Sequence, residues 1–166
     1  MMMQALDRLF ALLLIVVLLF VIPTYYRFQR QEEINYQMVL TQTQKTADLI
    51  CELGYIESHS LTELEAVLAA TGTGYRVTLA HLQKHFSENA DTGKLDYYYE
   101  GNYNYEIYQE IKVSGRYSMD LGDFFYISVE NNTPTPFQQL KTMLGMADHE
   151  RVIMARSGGL IRAEGL

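Results

Sequence analysis

The apolar positions of this chain fall into three regimes. From Leu9 to Ile22 the sequence LFALLLIVVLLFVI runs fourteen residues without a charge or a hydrogen-bonding side chain. Pro23, Thr24, Tyr25 and Tyr26 bring the run to eighteen, close to the length that crosses a hydrocarbon core of ~30 Å at ~1.5 Å per residue. Leu9, Phe10, Leu14, Val17, Phe20 and Ile22 mark this membrane anchor, with Pro23 at its exit. Tyr25 and Tyr26 stand where an interfacial aromatic pair belongs. A cleaved signal peptide would need small residues after the run, and VIPTYYRFQR offers bulky aromatics instead. The expectation is an uncleaved single-pass anchor over 9–26 behind a short tail, 1–8.

The second regime is helical. Residues 28–53 contain no Gly or Pro, and Tyr36, Val39, Thr43, Ala47, Ile50 and Leu53 recur at spacings of three and four. Tyr36, Val39, Ala47, Ile50 and Leu53 are the expected packing seam against a sheet. Gln31, Glu32, Gln42, Lys45, Asp48 and Glu52 lie opposite, and Gly54 is placed to end the helix. Pro23 should kink the helix as it leaves the bilayer. A shorter helix over 60–71 follows from the capping-box spacing of Ser60 and Glu63, the apolar face Leu61, Leu64, Val67, Leu68, and Gly72 beyond it.

The third regime alternates. Tyr75, Val77 and Leu79 repeat at the period of a half-buried strand. HLQKHFSENADTG reads as a helical turn and loop, and three strands follow at 95–100, 104–114 and 123–130. Thr135-Pro136 is a cap and first position for a short helix, FQQLKTMLG. RVIMARSGGLIRAEG reads as a hairpin around Ser157-Gly158-Gly159. The chain is thus expected to be α+β. A transmembrane helix continues into a long amphipathic helix packed on an antiparallel β-sheet. Residues 27–166 form the extracytoplasmic domain: 27–54 long helix, 60–71 short helix, 75–166 mainly antiparallel sheet.

Charge narrows the partners. Thirteen Lys+Arg stand against twenty Asp+Glu, a net charge of −7, and a nucleic-acid binder needs the opposite balance. Apolar residues at 48% against 20% charged exclude a disordered chain. Arg8 precedes the anchor and Arg27 and Arg30 follow it, so a literal positive-inside count points the domain inward. Such counts are weak for a long downstream domain, and its acidic, Tyr- and Asn-rich character favours the outside. Seven of the thirteen Tyr lie between Tyr97 and Tyr117, marking a strand-rich, partly exposed stretch.

The plan of residues 1–53, an apolar helix, a Pro just past it and an amphipathic continuation before an antiparallel sheet, resembles type IV pilin-like proteins. Together with the ending ARSGGLIR, it is similar to the membrane-anchored minor pilin-like proteins of tight-adherence pili and related bacterial secretion machines. The resemblance implies a non-enzymatic subunit whose partners are the membrane and other pilin-like or secretion-assembly subunits. The chain lacks a Gly-Phe-Thr-Leu-Ile-Glu processing motif and a Glu inside the apolar helix; Asp7 alone is placed for the charged role near the helix start.

Candidate chemistry is thin. His81 and His85 stand at i, i+4 with Glu88 three residues on, a ligand set a helix would present to zinc. Without HExxH or a Cys cluster the plainer reading is surface histidines on a polar turn. His59 and His149 stand alone. Cys51 beside Ile50 reads as a buried structural thiol, and Asp48 and Glu52 oppose a nucleophilic role. Ser157-Gly-Gly lacks GxSxG, and Gly72-Thr-Gly74 lacks the Lys of a phosphate loop. Asp120, Asp123 and Glu130 lack the spacing of an EF-hand. Asn131-Asn132-Thr133 fits a glycosylation sequon. The expectation is no catalytic, cofactor-binding or metal-binding residue, no cofactor and no identifiable small-molecule substrate. An anchored extracytoplasmic binding or sensor module, with the Tyr-rich strands as its recognition surface, is the alternative. An anchored metal hydrolase rests on His81, His85 and Glu88 alone.

Overall fold

A computed structural model describes residues 2–88, 95–146 and 154–163. In chain order the elements are α1 (Met2–Leu53), β1 (Tyr55–Glu57), α2 (Ser58–Ala70), β2 (Tyr75–Glu88), β3 (Leu95–Tyr103), α3 (Asn104–Ser114), β4 (Arg116–Ser118), β5 (Phe124–Asn131), α4 (Pro136–Met143) and β6 (Met154–Leu160). The fold is α+β: a long helix with an apolar N-terminal part, then an antiparallel sheet. The chain divides into two compact units, residues 1–35 with 134–151, and residues 36–133 with 152–166.

In the first unit, α1 is helical through Pro23. Among the described residues it is the one helix long and apolar enough to cross a membrane. Its apolar side chains are exposed around the whole circumference, from Leu18 at 45% to Phe20 at 69%. Against the polar end of this segment lies α4. Thr135 caps it: its hydroxyl accepts from the Gln138 N–H at 3.2 Å, and the Gln138 side chain accepts from the Thr135 N–H at 2.8 Å. Thr135 as cap and Pro136 at the first position are the start signal read from the sequence, and the reciprocal bond with Gln138 completes it as a capping box. The Thr135 hydroxyl also donates to Glu32 at 2.6 Å, and the Phe137 ring meets Tyr25 edge-on at 5.1 Å.

In the second unit, a four-stranded antiparallel sheet has the order β3-β2-β5-β6, and β1 pairs with β4 in a separate two-stranded sheet. Register places Leu79 opposite Ile127, and Val129 opposite both Val77 and Ala155. Alternation therefore puts these residues on one face, which is the core face. Val39, Ala47, Ile50 and Cys51 of α1, Leu61, Leu64 and Leu68 of α2, and Ile107 and Ile111 of α3 join them in one buried cluster. Each fully buried Val, Leu or Ile among them contributes about 1.5–3 kcal/mol of burial.

The α1 seam differs from the expected one at its ends. Val39, Ala47 and Ile50 are buried, but Tyr36 and Leu53 are 37% and 38% exposed. Thr46 and Cys51 are buried on this helix as well. Tyr36 and Leu53 lie beyond the first and last α1 members of the core cluster, Val39 and Cys51, so the core does not cover them.

Three further expectations are overturned. Residues 104–114 are helix α3, not a strand: Ile107 and Ile111 bury one face, Glu106 accepts from the Tyr103 N–H at 3.1 Å, and Gly115 at φ 85° ends it. Helical spacing of the two Ile outweighs the strand preference of the Tyr around them. Residues 81–88 extend β2 rather than forming a helical turn. Ser157-Gly158-Gly159 runs straight through β6 rather than turning. A Cβ at Gly158 would collide with the Phe125 carbonyl and Tyr126, so this glycine serves close approach. Helix α2 begins at Ser58, two residues before the expected capping box, and no side chain caps it.

Candidate functional site

The residues read as surface histidines separate. His81 is 3% exposed, on the core face of β2 opposite Phe125. Its Nε2–H donates to Asp123 at 2.8 Å and its Nδ1 lies 2.7 Å from the Tyr117 hydroxyl. Asn102 donates to the same hydroxyl at 3.2 Å. One arrangement of donors and acceptors satisfies every group: Asn102 to Tyr117, Tyr117 to His81 Nδ1, and His81 Nε2–H to Asp123. Asp123 is sealed as well, accepting from the Lys84 N–H at 2.9 Å and the Asp120 N–H at 3.1 Å. Burial, reinforced by the carboxylates of Glu110, Asp123 and Glu106 and opposed by the Asn102 hydrogen bond, pushes the Tyr117 phenol above its usual range.

A carboxylate–imidazole–phenol chain has the order of a general-base relay. Here both ring nitrogens are occupied and all three members are nearly closed to solvent, so no lone pair faces a substrate. What the chain does is fasten the β4–β5 connection to the sheet. The Asp123 backbone extends the clasp, its carbonyl accepting from the Ile161 N–H at 2.8 Å. Nothing local in the sequence announces this cluster, since its partners lie 36 and 42 residues from His81.

His85 lies four residues further along the same face of β2, where this strand pairs with β3 alone. It stacks on Tyr98 with ring centroids 5.3 Å apart, and its Nε2 lies 3.3 Å from Glu100. Glu88 ends β2, and His59 is exposed on α2. His149 falls outside the described residues. Among the described residues no three His, Cys, Asp or Glu converge as a metal site. Asp120 and Asp123 share a turn, while Glu130 pairs opposite Arg76 on the outer face of the sheet.

Cys51 is buried, its Sγ–H 3.6 Å from the Gly159 carbonyl. Burial pushes this thiol up, the reverse of an activated nucleophile. A cleft of about 250 Å³ lies among Glu65, Leu68, Thr73, Tyr75 and Tyr108. The Thr73 and Tyr75 hydroxyls at its wall are buried without a hydrogen-bond partner.

The most distinctive surface is aromatic. β5 pairs with β2 only as far as Leu82, so Gln83–Glu88 pairs with β3 alone. This two-stranded ribbon carries Phe86, Leu95, Tyr97 and Tyr99 on one face, all exposed. Lys84 lies 5.0 Å from the Phe86 ring centre and 4.6 Å from that of Tyr97, and Tyr97 meets Tyr99 edge-on at 5.9 Å. The same face continues over the sheet through Tyr103, Phe124 and Leu160.

Comparison with protein-family models, with curated proteins and with solved structures finds no match to this chain.

Proposed function

We propose that this chain is a non-enzymatic, single-pass membrane-anchored subunit of a bacterial pilus or secretion assembly, with its folded domain outside the cytoplasm. The observation that carries the reading is the apolar stretch of α1, exposed around its whole circumference and continuous with the helix that enters the core of the second unit. A helix apolar on all sides belongs in lipid or against other such helices. The helix packed on an antiparallel sheet accords with the pilin-like plan of residues 1–53, and the sealed His81–Asp123–Tyr117 chain accords with a scaffold rather than a catalyst.

Deletion of the gene in its own bacterium should abolish a surface filament or a secreted product. The full chain should restore it, and a chain beginning at Arg27 should not. Restoration by the chain lacking residues 1–26 would refute the anchored role.

The aromatic outer face supports a second reading, an anchored binding module. Contiguous exposed aromatics of this kind mark a contact surface. Tyr97→Ser with Tyr99→Ser separates the two. A binding module loses its ligand while filaments persist, whereas an assembly contact loses filaments.

A further inference from the structure

Helix α4 is short, amphipathic and held against α1 near the polar end of the apolar stretch. Its cap residue Thr135 bonds Glu32, and Phe137 reaches Tyr25. On the anchored reading, on which this inference rests, Tyr25 and Tyr26 close the run 9–26 as its interfacial aromatic pair. Tyr25 then lies where hydrocarbon gives way to headgroups. Phe137 is therefore held at headgroup depth by a contact inside its own unit. Six and nine residues further on, Met143 and Met146 are 82% and 57% exposed, and Leu144 is exposed beside them. Lys141 lies 5.9 Å from the Phe137 ring centre, a long stem able to cover apolar surface while its ammonium meets phosphate and water.

We propose that α4 and the turn after it lie in the membrane interface, with Phe137, Met143, Leu144 and Met146 seated among lipid headgroups and upper acyl chains. The occupant is the bilayer that holds α1. Short helices with one apolar face and flanking cations bind there, and burial of that face supplies the affinity. The chain would then hold the membrane at two places, a spanning helix and a helix lying flat beside it, which fixes rotation about α1 as well as depth.

The test uses the full chain in phosphatidylcholine vesicles, labelled with an environment-sensitive dye at one introduced cysteine: Leu14→Cys, Glu33→Cys or Met143→Cys. Buried Cys51 should stay unlabelled, which the unsubstituted chain controls. Glu33 is exposed and seven residues past Tyr26, about 10 Å further out. The expected result is loss of emission at 143 with lipids spin-labelled near the headgroup, loss at 14 with lipids labelled deep in the chain, and neither at 33. Loss at 14 with 143 as unaffected as 33 would overturn the interfacial helix and leave the anchor standing. No loss at 14 would overturn both.

Discussion

Asp123 and Tyr75 show opposite ways for a polar side chain to be buried. Asp123 takes hydrogen bonds from His81, Lys84 and Asp120. Asp123→Ala strands the buried His81 donor at about 1–3 kcal/mol and loses two part-buried bonds besides, so the expected loss is more than about 1 kcal/mol, read from denaturant midpoints. The Tyr75 hydroxyl has no partner. Tyr75→Phe removes an unpaired polar atom and should leave stability unchanged or raise it by about 1 kcal/mol. A large loss in that variant would mean that the hydroxyl bonds a fixed water in the cleft. Tyr117 supplies a pH signature. Its folded pKa is raised, so near and above pH ~10 the unfolded chain gives up the proton first and the folded state holds more protons. Stability should be full below that pH and fall as pH rises through it. Midpoints measured from pH 8 to 11 should show a shallower alkaline fall in Tyr117→Phe than in the unsubstituted chain.

At the scale of elements, legibility followed the range of the signal. Thr135-Pro136 was readable because a cap is a contact among adjacent residues. The long α1 was readable from its unbroken periodicity. The strand assigned to 104–114 failed because Tyr103, Tyr105 and Ile107 alternate while Ile107 and Ile111 are helical neighbours, and the core accepted the second pattern. The Ser-Gly-Gly segment failed because a glycine serving close strand approach looks the same in sequence as one serving a turn. The His81 cluster had no local pattern to find. The α1 seam is tested by a pair of substitutions. Ile50→Asp buries an unpaired carboxylate at a 1% exposed position and should cost several kcal/mol, against a whole-domain stability of ~5–15 kcal/mol. Leu53→Asp, 38% exposed, should cost less than about 1 kcal/mol. Equal melting temperatures would mean that the buried face of α1 is misassigned.

For the molecule as a whole, the division of labour between segments sets the biochemistry. The apolar stretch of α1 carries no part of the buried cluster, which begins at Val39. Full-length protein should therefore resist carbonate extraction, and deletion of residues 1–26 should release protein that retains the cooperative melt of the full chain. A truncated chain that stays in the membrane pellet would place a second membrane-binding surface in the remainder. That outcome and the depth measurements on α4 bear on one another: a strong interfacial helix slows the release that removal of the spanning helix allows.

The seclusion of Cys51 has a consequence for how the chain matures. It is the one cysteine of the sequence, shut against the Gly159 carbonyl at the junction of α1 and β6. Once β6 has docked, no oxidant or second thiol can reach it, so the finished protein is indifferent to the redox poise of its compartment. Before β6 docks, the thiol is open and two nascent chains meeting in an oxidising space can become covalently joined. Docking of β6 thus decides whether this sulfur is ever chemically visible. A disulfide-linked dimer on a non-reducing gel would count chains that met an oxidant before β6 closed.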